Sequence, residues 1–252
     1  NSIERLTGRK KLQKLYDVYS SKKRNELFFW SDIQRLLELK VNIKSDNKFV
    51  LPKKGPVIVI ANHPYGIVDG IILASFVSKT RSNFKIMTHE VLRFTETSEK
   101  YILPVDFSNT NDALKNNINS ARNARKLLLE GGVLILFPAG GVAVAKKLNT
   151  KAIDAEWGDL VSSLALKTKS AVFPIYFSGK NGLLFHFFAS KVKSQTLKYA
   201  SYLHETKRKI GKQIDIYCGN IIKYEELKEI GNKKSITLFL RDYTMSLNKE
   251  GY

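Results

Sequence analysis

From residue 56 onward, short runs of aliphatic and β-branched residues alternate with longer stretches whose apolar residues recur at helical spacing. The runs at 57–61, 84–87, 102–105, 133–137, 171–177 and 214–218 read as strands, and the stretches near 66–77, 111–130, 156–166 and 191–209 as helices. This alternation is restrictive. Parallel neighbours cannot be joined by tight turns, and they need a crossover, usually a helix, that covers one face of the sheet. The expectation is an α/β fold with a mostly parallel central sheet flanked by helices.

Residues 1–45 differ in character. Leu12, Leu15, Tyr16 and Tyr19 recur at helical spacing beside Lys10, Lys11, Lys14, Lys22, Lys23 and Arg24, which reads as a basic amphipathic helix. Ser31 and Gln34 have capping-box spacing and predict a second helix from about Asp32, with Ile33, Leu36, Leu37 and Val41 as its apolar stripe. The chain divides accordingly into an N-terminal helical, membrane-facing extension at 1–45 and an α/β domain at 46–252. Helices of this kind pack on their own domain, lie at a lipid interface, or do both.

Charge narrows the partners. The 42 Lys and Arg outnumber the 23 Asp and Glu, for a net charge of +19. That field attracts polyanions: nucleic acid, an anionic membrane leaflet or an acidic carrier protein. A Lys-rich source composition is the bland alternative. Cys218 is the only cysteine, so no intrachain disulfide or CxxC pair can form. The histidines at 63, 89, 186 and 204 lack metal-ligand spacing, and no metal is expected. His186, within the apolar run 183–188, and Cys218, at a strand end, read as packed residues. No apolar run approaches the roughly 20 residues needed to span a bilayer, so a membrane would be met from one side. The sequence starts at Asn1 and not at a methionine, so the lack of a signal peptide carries no weight.

In open α/β sheets, ligands gather at the carboxyl ends of strands. Three predicted strands run into turns there, at 62–70, 138–143 and 178–182. The first holds His63 and Asp69. An imidazole titrates near neutral pH and can take a proton from an attacking hydroxyl or amine, while a carboxylate on its far nitrogen fixes the tautomer and stabilises the imidazolium. Gly66 allows a tight turn, after which Asp69 sits in the first turn of a helix and can face back to His63. Spacing alone is weak evidence for such a pair, and its context matters.

That context is a resemblance. The stretch Ala61-Asn62-His63-Pro64-Tyr65-Gly66-Ile67-Val68-Asp69-Gly70 is similar to the first block of the lysophospholipid acyltransferase superfamily. It most resembles the branch of ornithine-lipid and other aminolipid acyltransferases and hemolysin-type proteins. Residues 3–12 resemble that branch's N-terminal signature and Ile102 to Asp106 its second block. Phe137-Pro138-Ala139-Gly140-Gly141-Val142-Ala143 resembles its third, and residues 173–182 its fourth.

The resemblance implies transfer of a fatty acyl group from an acyl carrier protein or coenzyme A thioester, with no further cofactor, at a peripheral membrane site on the cytoplasmic face of the inner membrane. Carried over, His63 is the general base and Asp69 its orienting partner. Asn62 and Gly66 shape the turn and the substrate site, and Pro138, Gly140 and Gly141 line the acceptor side. A backbone N–H near Gly140 or Gly141 would meet the oxyanion.

Departures from the family pattern bear on the acceptor. The His-x5-Asp spacing is that of the aminolipid branch, where glycerolipid enzymes have His-x4-Asp. Ala139 stands where glycerolipid enzymes place Glu, and Phe107 where an Arg would grip a phosphate, which disfavours a phosphorylated acceptor. Gly141 stands where the aminolipid branch often has Glu. Three acceptor classes would be served by the same base: the hydroxyl of a lyso-aminolipid, the amine of an amino acid such as ornithine or glycine, and a lysophospholipid. A non-enzymatic basic module binding nucleic acid is the rival of another class; it lacks any nucleic-acid motif, and its charge is scattered, so no nucleic-acid partner is expected.

Overall fold

The computed structural model describes residues 9–21, 25–45, 49–89, 95–106, 108, 110–145, 150, 152–191 and 195–248. In chain order the elements are α1 (Arg9–Ser20), α2 (Phe29–Leu36), β1 (Lys40–Ile43), β2 (Val57–Ala61), α3 (Ile67–Ser78), β3 (Phe84–His89), β4 (Ile102–Val105), α4 (Asn111–Leu129), β5 (Val133–Leu136), β6 (Val144–Ala145), β7 (Ala152–Ile153), α5 (Leu160–Thr168), β8 (Ala171–Phe177), α6 (Leu183–Lys191), α7 (Gln195–Lys209), β9 (Gln213–Cys218), α8 (Tyr224–Ile230) and α9 (Lys233–Ser246). Single helical turns lie at Glu26–Phe28 and Glu96–Glu99.

Seven strands form one sheet in the order β1-β9-β8-β2-β5-β3-β4. Every pairing is parallel except β8 with β9. The expected mostly parallel α/β fold is therefore present. Successive residues of β2 point to opposite faces and both faces are covered, which is why the strand reads as an unbroken apolar run. Val57, Val59 and Ala61 join a core built with α2 and α3, whereas Ile58 and Ile60 join a second core with α4, α5, α8 and α9. Arg81, 8% exposed, fastens the amino-terminal edge of this sheet. Its guanidinium donates to the carbonyls of Pro52 and Gly55 at 2.7 and 3.1 Å, and also to that of Gly131.

The N-terminal region differs in detail from its sequence pattern. Helix α2 starts at Phe29, with Phe28 at the cap position, so Ser31 lies inside the first turn and forms no capping box. The stripe ends at Leu37, because Glu38 takes a left-handed φ of +49°. Val41 then lies on β1, paired with Ile214 of β9, so the sheet extends across residue 45. A β-branched segment of four residues is too short for a stable helix and gains a full ladder of hydrogen bonds at the sheet edge. In α1, Leu12, Leu15, Tyr16 and Tyr19 pack on the core. Lys22, Lys23 and Arg24, and residues 3–8 of the N-terminal signature, lie outside the described residues.

Elsewhere the stretch 183–209 is two helices, α6 and α7, where the sequence pattern gives one from about 191. Helix α5 starts at Leu160 instead of near 156, because residues 154–158 are tied to the site as a loop: the Trp157 indole donates to Asp154 and the Gly158 N–H to the Pro138 carbonyl. Helices α8 and α9, strand β1 and the antiparallel pair β6–β7 have no counterpart in the sequence reading.

Candidate active site

The carboxyl ends of β2, β5, β3 and β4 lie side by side, and the turns that leave them build one site. At the end of β2, the Asn62 side chain extends the ladder to β8: its amide donates to the Phe177 carbonyl at 2.9 Å and its oxygen accepts the Phe177 N–H at 2.7 Å. Both ends of the amide are thereby occupied, and Asn62 shapes the turn without lining the cleft. The chain then reverses through Gly66, whose φ of +75° belongs to a region that L side chains rarely adopt. Helix α3 starts at the next residue.

Asp69, in the first turn of α3, is fully buried. Its Oδ2 accepts the N–H groups of Tyr65 and Gly66 at 2.9 and 3.0 Å. The same oxygen lies 3.0 Å from Nδ1 of His63. Burial holds the Asp69 carboxyl above its ordinary value, against the opposing pull of the His63 contact and the two backbone N–H groups. His63 is stacked on Phe137, with ring centroids 3.9 Å apart.

The peptide of His63 is gripped from the loop that follows β5. Its N–H donates to Asp154 at 3.2 Å, and its carbonyl accepts the Ala143 N–H at 2.8 Å. The second Asp154 oxygen accepts the Trp157 indole N–H at 3.0 Å. Burial pushes the Asp154 carboxyl up, against the indole and the His63 N–H. On the other side, the Tyr65 hydroxyl donates to the Ser178 carbonyl at 2.5 Å, and Lys209 Nζ sits 4.0 Å above the Tyr65 ring. The turns at 62–70, 138–143 and 178–182 thus meet, as their places after strands imply.

His63 opens onto a cleft of about 580 Å³. Gly66, Pro138, Gly140 and Gly141 line it with His63, while Asp69 stands behind the imidazole. Apolar walls come from Ile67, Met87, Val105, Leu136, Val142 and Leu160, and polar groups from His89, Asp106, Tyr199 and Tyr202. No Lys or Arg lines it among the described residues. Phe107 lies outside them.

Several cleft residues escaped the sequence reading. His89 ends β3 by the same end-of-strand rule that picks out His63, and its Nε2 lies 2.5 Å from the Tyr199 hydroxyl. Tyr199 and Tyr202 have the i,i+3 spacing of one helix face. Asp154 carries no local signal, since its partner His63 is 91 residues away, and Trp157 is tied to the site only through Asp154. His186 is packed: its Nδ1 accepts the Ala145 N–H, and its Nε2 meets the Asn181 carbonyl. Cys218 is buried, and burial pushes its thiol up to about 12. Among the described residues no group of three or more His, Cys, Asp or Glu could hold a metal ion, and no helix is long and apolar enough to cross a membrane.

A family model described as acyltransferase matches residues 36–250, most of the chain and all of the site. The chain belongs to this acyltransferase family. The chain is 23% identical over 184 residues to a lyso-glycine lipid O-acyltransferase of Phocaeicola vulgatus, covering 71% of this chain and 61% of the relative. A protein of the same description from Bacteroides thetaiotaomicron is 23% identical over 176 residues, 68% of this chain and 60% of the relative. The chain spans about three fifths of the length of these curated relatives. Its fold is similar to the crystal structure of the 1-acyl-sn-glycerophosphate (LPA) acyltransferase PlsC from Thermotoga maritima, with a TM-score of 0.56 and 15% identity over 90% of this chain and 79% of that one. The resemblance to the lysophospholipid acyltransferase superfamily holds, and the reading as a non-enzymatic basic module gives way to it.

Proposed function

We propose that this acyltransferase moves a fatty acyl group from a thioester, carried on acyl carrier protein or coenzyme A, to the hydroxyl of a lyso-aminolipid at the cytoplasmic face of a membrane. The observation that carries the reading is the 3.0 Å contact between His63 and a fully buried Asp69 at the wall of a largely apolar cleft. With Nδ1 directed to Asp69, Nε2 is the nitrogen left for the acceptor. It takes the hydroxyl proton as the oxygen attacks the thioester carbonyl. The imidazolium, stabilised by Asp69, returns that proton to the departing thiolate as the carbon–sulfur bond breaks, leaving an ester and a thiol. The Gly140 N–H is bonded to the Phe137 carbonyl, so the Gly141 N–H at the cleft rim is the donor assigned to the oxyanion.

Two observations favour an aminolipid acceptor over a phosphorylated one. The relatives carry the description lyso-glycine lipid O-acyltransferase. The cleft presents Asp106 and no cation among its described lining, a poor setting for a phosphate. The test is a mass-spectrometric transfer assay with both donors against lyso-aminolipids, lysophospholipids and free amino acids. Ester formation on a lyso-aminolipid is expected, faster from the acidic carrier protein than from coenzyme A because of the +19 charge. Transfer only to a lysophospholipid, or only to an amine, would overturn the acceptor assignment.

A further inference from the structure

The apolar face of α1 is turned inward, with Leu12, Leu15, Tyr16 and Tyr19 packed on the core. Val18, Leu27 and Phe28 stay exposed beside it, and α6 presents a further apolar surface. Its inner side is keyed to the domain by Phe185, 1% exposed and 5.5 Å from the Tyr202 ring, and by His186, which accepts the Ala145 N–H of β6. Its outer side presents Leu183, Leu184 and Phe187, which are 52%, 58% and 53% exposed. Ile153 on β7, the strand paired with β6, is 55% exposed.

The sequence of α6 and its flanks is basic, and Glu156 stands exposed near Ile153. Lys180, Lys191, Lys193 and Lys198 fall within residues 179–204, a stretch without a single Asp or Glu, and Lys146, Lys147 and Lys151 surround the β6–β7 segment in sequence. A row of exposed large apolar side chains on a lysine-rich segment is what a helix lying in an anionic lipid interface presents. An acidic carrier protein would satisfy the lysines, but it offers no hydrocarbon layer for the exposed leucines and phenylalanine.

We propose that α6, together with Ile153, is the surface on which this enzyme rests against an anionic bilayer, its apolar side chains entering the boundary between headgroups and acyl chains. Phe185 packs on Tyr202, which lines the cleft, so the ridge stands one layer of side chains from the site. A lipid acceptor then reaches His63 with little displacement from the interface.

The experiment is vesicle co-sedimentation without donor or acceptor, so that its outcome is independent of the acceptor assignment. Vesicles of phosphatidylglycerol with phosphatidylcholine are compared with phosphatidylcholine alone, at low and high salt, for the wild type, a Leu184→Ser/Phe187→Ser variant and a Leu129→Ser control. Leu129 is 60% exposed and ends α4, at the opposite edge of the sheet. The wild type should bind anionic vesicles, less so in salt. The double variant should bind about tenfold more weakly with unchanged circular dichroism, and the control as the wild type. Wild-type binding by the double variant, an equal loss in the control, or binding to acyl carrier protein but to neither vesicle would overturn the proposal.

Discussion

The carboxylate of Asp154 accepts the backbone N–H of His63 at 3.2 Å, across 91 residues of sequence. The same loop returns the Ala143 N–H to the His63 carbonyl, so the imidazole and the wall formed by Pro138, Gly140 and Gly141 are held as one unit. Asp154 does not line the cleft; its bond is to the backbone of His63, which it holds in place. Replacing it by alanine should lower kcat by about 10- to 100-fold with a smaller change in KM, the penalty for a misplaced base. Asp154→Asn, which keeps an acceptor for the His63 N–H, should recover part of that loss. A lower melting temperature with unchanged kcat per folded molecule would reduce Asp154 to a structural residue.

Asp69→Asn separates orientation from charge. An amide oxygen can still accept from Tyr65, Gly66 and His63, so the fold should persist, but the imidazolium loses its counter-charge and turnover should fall by about 10⁴-fold.

The same variant tests the electrostatics through stability. Burial raises the Asp69 carboxyl, so the folded state keeps a proton that the unfolded chain would release. The group's contribution to stability therefore falls as pH rises from the ordinary carboxylate range through the raised value, and stays at its minimum above it. Asp69→Asn has no such titration. Melting curves should show the variant gaining on the wild type as pH rises through that window, then holding a constant difference. A difference that does not vary with pH would contradict the assignment.

Arg81 offers a prediction remote from the cleft. Three carbonyls, those of Pro52, Gly55 and Gly131, converge on its guanidinium at the far edge of the sheet. Arg81→Ala should cost about 1–3 kcal/mol in denaturant unfolding, since it removes a charged donor that three carbonyls share. Turnover per folded molecule should be unchanged.

At Gly66, a Cβ would sit 3.2 Å from Val142 Cγ2 and 3.3 Å from Tyr202 Cδ1, on a backbone with φ +75°. Gly66→Ala should cost about 1–3 kcal/mol in strain and depress kcat/KM, because both neighbours line the cleft. Wild-type kinetics in the variant would mean that the turn tolerates a side chain.

What was legible in the sequence follows the range of the interactions. Val57–Ala61, Ile102–Val105 and Ala171–Phe177 were readable to the residue because each is an apolar run with no charged position to blur its limits. The His63–Asp69 contact was readable because one turn and the start of α3 hold both partners. Asp154, Trp157 and the tyrosines of α7 were not, since each reaches the site through the folding of distant segments. Val41 misled for a related reason: its helical spacing after Leu37 was overridden by pairing with Ile214, a partner that only the assembled sheet supplies. The exposed side of α6 was hidden by composition, because an apolar run reads as core whichever way it faces.

The central claim is that His63, held by Asp69, is the base that activates the acceptor. Its most direct test compares acyl-product formation by the wild type and His63→Ala under identical donor and acceptor conditions, with circular dichroism on both proteins. Transfer by the wild type and a fall of about 10⁴-fold or more in a fully folded variant are expected; a folded His63→Ala protein with wild-type turnover would contradict the claim.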